Sequence, residues 1–170
     1  THSLPLGSRL TMVTDHEGFL ELEAPWRQLE AASTSPRAVF QSFDWLMNWS
    51  RVYAAPLGPD PLCILTGFRD GRLVFAWPLM KTRVGPLTVL RWMSDPFSQY
   101  GDILLAPGES VRAWMSEATG LLRQLTGIDA IRLRHVRADA AALPYLEQSF
   151  RDARSPDQAP WLDLPAFAEE

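Results

Sequence analysis

The chain has 170 residues, 46% of them hydrophobic and 21% charged, which is the balance of one ordinary globular domain over residues 1–170. A net charge of −4 disfavours nucleic-acid binding, and the lone Cys63 excludes an internal disulfide and a cysteine-rich metal site. No apolar run reaches the ~18 residues of a membrane span, His2, His16 and His135 are scattered, and no secretory signal is visible, so the expectation is a cytoplasmic domain without a metal.

Residues 9–14 alternate polar and apolar side chains and predict a first strand. Asp15 suits a helix N-cap with Glu17 in the first turn, and Phe19, Leu22, Trp26 and Leu29 then recur at helical spacing. Pro25 interrupts that pattern, so a kink or restart is expected there. Ser42 caps a second helix bearing Phe43, Leu46, Met47 and Trp49. A proline-rich connector follows over residues 55–61. Two apolar runs flank Asp70-Gly71, the strongest short-range signal of a hairpin, and a third strand after Gly85-Pro86 completes an antiparallel meander.

Residues 94–101 read as a loop and 102–105 as a short strand. From Ser110, Val111, Trp114, Met115, Ala118, Leu121, Leu122 and Leu125 mark one face of a helix that Gly127 is placed to end. Residues 130–136 predict a strand, 141–150 a helix and 161–164 a last strand. The class is α+β, a mixed and largely antiparallel sheet flanked by helices.

This order resembles the GNAT acyltransferase fold, whose sheet splays to admit acyl-CoA. The stretch Phe40-Gln41-Ser42-Phe43-Asp44-Trp45, with Trp49 four residues on, is similar to the F-Q-S-x-x-W-x-x-x-W stretch of CelD/BcsL-type acetyltransferases. Ala76-Trp77-Pro78-Leu79, Tyr100-Gly101-Asp102 and residues 131–136 resemble that family too, so the likeness spans residues 10–164. Its members are linked to cellulose or exopolysaccharide biosynthesis and are related to FemAB/FemX-like proteins, which carry two GNAT-like halves. The resemblance implies that this chain corresponds to the N-terminal half of proteins about twice its length, as a fragment or a natural half-length relative. Its implied partners are a second GNAT-like domain or another copy of the chain, and a saccharide or other small-molecule acceptor.

Acetyl-CoA, implied for the complete protein, needs a glycine-rich loop before a helix, where successive backbone N–H groups hold pyrophosphate. Here residues 93–110 offer only Gly101 and Gly108, with Glu109 beside the latter, so this domain alone is not expected to bind the cofactor in the usual way. Tyr100 and Asp102 stand where a carboxylate general base and a positioning phenol are mounted, or where a turn Asp and a core-edge Tyr belong. Trp45 and Trp49, an i, i+4 pair, read either as the wall of an acceptor cleft or as packing. Arg132 and Arg134 read either as an anion-binding rim or as a solvated strand face. Two other functions stay open: a non-catalytic interaction module in a polysaccharide synthesis or export assembly, and a complete small acyltransferase with an atypical phosphate loop over residues 99–110.

Overall fold

A computed structural model describes residues 4–33 and 38–150. Strand β1 (Ser8–Val13) leads through the Asp15 cap, whose Oδ1 accepts the Gly18 N–H at 2.7 Å, into α1 (His16–Glu21). The expected interruption is a break at Leu22, between α1 and α2 (Glu23–Ala32). Pro25 is thereby the third residue of α2, where no i−4 partner is lost. Ser42 caps α3 (Phe43–Trp49), which continues into a π-turn and a 3₁₀-turn ending at Leu57.

β2 (Leu62–Arg69) and β3 (Arg72–Val84) form the hairpin, with Asp70 and Gly71 at φ +50° and +79° as a type I′ turn requires. β4 (Leu87–Trp92) completes the meander, and β1 adds antiparallel to β2. α4 (Val111–Gln124) starts at a Ser110 cap that accepts the Ala113 N–H. It leads to β6 (Ala130–Ile131), which pairs parallel to β4, and then to α5 (Leu143–Ser149).

The sheet separates two cores. Leu62, Ile64, Ala76 and Met80 face α1–α3, whereas Cys63, Leu65, Phe75, Trp77 and Leu79 face α4 and α5. These central strands are buried on both faces, so they read as continuous apolar runs rather than alternating ones. Gly67 is required by close approach, because a Cβ there would collide with the Trp114 ring.

One strand line is broken. Leu79 of β3 pairs with Trp92, so Ala76 would face residue 95; it pairs instead with Leu104 of β5 (Leu104–Leu105). The line thus resumes nine residues late, after an excursion through residues 94–103. The strand expected over residues 130–136 is a correction: only Ala130 and Ile131 pair, because the chain leaves β4 and His135 takes φ +54°. The strand expected over residues 161–164 lies outside the described residues. Among the described residues no helix is long and apolar enough to cross a membrane.

Candidate functional site

The excursion collects the polar and aromatic groups of greatest chemical interest. The Ser42 cap fixes the start of α3 and turns Trp45 toward it, so that the indole Nε1 donates to the Ser94 and Ser98 hydroxyls at 3.2 and 3.0 Å. Those two buried hydroxyls also bond each other. Phe40 stands edge-on to both Trp45 and Tyr100, with ring centroids 5.1 and 4.8 Å away, and the Arg137 guanidinium lies 5.1 Å over the Tyr100 ring. The Gln41 amide donates to the Tyr100 carbonyl and anchors the far side of the loop. Beside it, Tyr53 and Phe97 stack at 4.4 Å and remain 45% and 50% exposed.

Asp102 sits at the return of the excursion. Its Oδ1 accepts the Ile103 and Ala142 N–H groups at 2.8 and 3.0 Å, and its Oδ2 accepts that of Ala141 at 2.8 Å. Burial pushes this carboxyl above its ordinary range, and the three backbone donors only partly offset that. The carboxylate therefore ties the excursion to the segment entering α5. A cavity of about 20 Å³ between Gln41, Tyr100, Asp102 and Arg137 has room for one water.

Of the residues singled out by sequence, the structure brings Trp45, Tyr100 and Asp102 to one segment. It does not bring the others there. Trp49 is 6% exposed within the α1–α3 core, because its position on α3 is an inward one. Arg132 and Arg134 lie past the end of β6, both exposed, on either side of Leu133, which packs against the α4–α5 core. Ser94, Ser98, Phe97 and Arg137 were missed as site residues; the one trace of them was an unusually polar loop with serines four residues apart.

A second cluster lies at the start of α4. The Glu109 carboxylate, 3% exposed, is ion-paired with Arg69 and accepts the Trp114 Nε1–H at 3.0 Å. Arg69 and Arg72 line an adjacent cavity of about 380 Å³ with Gln28, Leu29 and Leu73. Among the described residues no group of His, Cys, Asp and Glu is arranged to hold a metal ion.

The acyl-CoA implied by the resemblance does not fit these residues. The gap beside β4 is filled by the chain's own residues 99–103, and the start of α4 holds a buried carboxylate where a pyrophosphate needs free N–H groups.

No family model and no curated protein matches the chain. Solved structures do match over nearly all of it. An aminoglycoside acetyltransferase from an uncultured soil metagenomic sample, bound to sisomicin, is 10% identical with a TM-score of 0.55, covering 93% of this chain and 97% of its own. A ribosomal-protein-alanine N-acetyltransferase from Brucella melitensis biovar Abortus 2308 is 11% identical with a TM-score of 0.54, over 92% and 97% of the two chains. Glucosamine-6-phosphate N-acetyltransferase from Arabidopsis thaliana is 10% identical with a TM-score of 0.50, over 92% and 99%. The element order, the largely antiparallel sheet and these neighbours agree: the chain has the fold of the GNAT acetyltransferases.

Proposed function

We propose that this chain is a GNAT-type acyltransferase domain that shapes the acceptor side of an acyl-CoA-dependent N- or O-acetyltransferase in polysaccharide biosynthesis. A second GNAT-like domain or another copy of the chain would complete it. The observation that carries this reading is the aromatic ladder Trp45–Phe40–Tyr100 with Arg137 at its end, mounted on a fold of acetyltransferase type. Partly exposed rings offer apolar faces to the C–H faces of a sugar, and the guanidinium offers donors to its hydroxyls. A structural neighbour of 10% identity and TM-score 0.56, an aminoglycoside acetyltransferase, was solved with trehalose. In such a reaction a base deprotonates the acceptor amine or hydroxyl. Tyr100 and Asp102 are the candidates for that role, although Asp102 already accepts three backbone N–H groups.

The test is a calorimetric titration of the chain with a panel of mono- and oligosaccharides. Saturable binding that Phe40→Ala weakens about tenfold, with an unchanged melting midpoint, supports the reading. No binding across the panel, or binding indifferent to Phe40, ends it. The exposed Tyr53–Phe97 stack, with Val52 64% exposed beside it on the π-turn, favours a second reading, a non-catalytic interaction module. Light scattering decides: a monomer at all concentrations, unchanged by Phe97→Ser, counts against self-association through this patch.

A further inference from the structure

We propose that this domain holds no acyl-CoA because the chain supplies its own substitutes at both places the cofactor would need, residues 99–103 in the gap beside β4 and the Glu109 carboxylate at the start of α4. The inference goes beyond the acceptor-side reading and does not depend on it.

The gap comes first. β4 and β6 pair only at Val89–Ala130 and Leu90–Ile131, with one more bond from the Arg132 N–H to the Leu90 carbonyl. Beyond that point the two chains separate, as in a splayed sheet. The return of the excursion enters the opening and is bonded on its far side. The Gly101 N–H donates to the His135 carbonyl at 3.3 Å, and the Asp102 carboxylate takes the Ala141 and Ala142 N–H groups. On its near side Gly101 lies against the Trp92 indole so closely that any Cβ would collide with it. The Gly101, Ala141 and Ala142 N–H groups are thus spent within the chain, and Gly101 closes on Trp92 to van der Waals contact. An extended ligand arm would have to displace Gly101 from Trp92 and break these bonds to enter there.

The start of α4 tells the same story in charge. Residues 106–110 read Ala-Pro-Gly-Glu-Ser: Pro107 has no N–H, and the Glu109 N–H is already bonded to the Ala106 carbonyl. The Ser110 hydroxyl takes the Ala113 N–H that an anion would use. The Glu109 carboxylate, buried between Arg69 and Trp114, is itself the anion beside this helix end. A pyrophosphate would meet that negative charge at close range in a poorly screened setting. Neutralising Glu109 would free Arg69, which with Arg72, Asp70 and residue 109 itself lines a cavity of about 380 Å³, large enough for a pyrophosphate and then carrying two cations against one carboxylate.

Two titrations of the full chain, read by thermal midpoint and calorimetry, test this. Wild type is expected to show no heat of binding and no midpoint shift with acetyl-CoA in millimolar excess. A saturable shift would overturn the proposal. Glu109→Gln keeps an acceptor for the Trp114 indole but removes the charge. It is expected to bind inorganic pyrophosphate at least about tenfold more tightly than wild type does, with Arg69→Ala in the same background abolishing the gain. A Glu109→Gln protein that melts as a folded domain and gains nothing would overturn the charge half of the argument. The saccharide titration reads a different surface, so either proposal can fail while the other stands.

Discussion

Asp102 illustrates how one side chain is recruited by three backbone N–H groups. Asp102→Ala leaves two of those groups, on Ala141 and Ala142, facing a low-dielectric interior and should cost about 2–4 kcal/mol, read as a lower urea midpoint. Asp102→Asn should cost about 1–3 kcal/mol, because its amide nitrogen must face at least one of the same donors. The pH dependence follows from the raised folded pKa. Between the ordinary carboxylate range and that raised value the folded state holds more protons than the unfolded one. Stability conferred through Asp102 therefore falls as pH climbs through that window, and the wild-type minus Asp102→Asn difference should fall with it. Asp44 runs the other way: the Arg27 guanidinium holds its carboxyl low, so its small exposed contribution is present above the unfolded pKa and fades in acid. Cys63 is fully buried and its thiol is pushed up to about 11, so it should resist a thiol reagent at pH 8 until denaturant is added. Rapid labelling of the native protein would contradict that burial.

At the scale of elements, helix starts were the most legible feature. Asp15 and Ser42 each accept the N–H that their positions forecast, and Ser110 does the same at the start of α4, because a cap is a local bond set by four consecutive residues. Ser110→Ala should accordingly lower stability by about 1 kcal/mol in denaturant titration. The hairpin was legible for the same reason, since Asp70-Gly71 carries its own left-handed requirement. The excursion was not. Nothing within residues 94–103 tells that β5 resumes the line of β4, because that register is written in β3, some twenty residues earlier. The Arg132–Arg134 strand failed likewise: alternation permits a strand, but it needs a paired neighbour, and the last bond to β4 is that of the Arg132 N–H to the Leu90 carbonyl. Gly67→Ala, on a buried strand against Trp114, should destabilise by about 1–3 kcal/mol through overpacking, and a melting curve no lower than wild type would refute the close approach.

The whole molecule is two cores divided by a sheet, which predicts their independence. Leu46→Ala on the α3 side and Leu122→Ala on the α4 side should each cost about 2–4 kcal/mol and add to within about 0.5 kcal/mol, since among the described residues the two cores share only Ala106. A larger coupling would mean that the sheet transmits strain between its faces. Sequence alone determined a globular composition, the order of the helices and strands within the described residues, two capped helix starts and the poverty of glycines before α4. All of these are written in periodicity, caps and turns within a few residues of one another. Only the tertiary structure decided that Trp49 is core while Trp45 reaches two serines, that Asp102 is a staple, and that Glu109 meets Arg69. Those pairings join residues 39 or more positions apart, and their energies come from burial and charge neutralisation, which exist only once the sheet has closed between its helices.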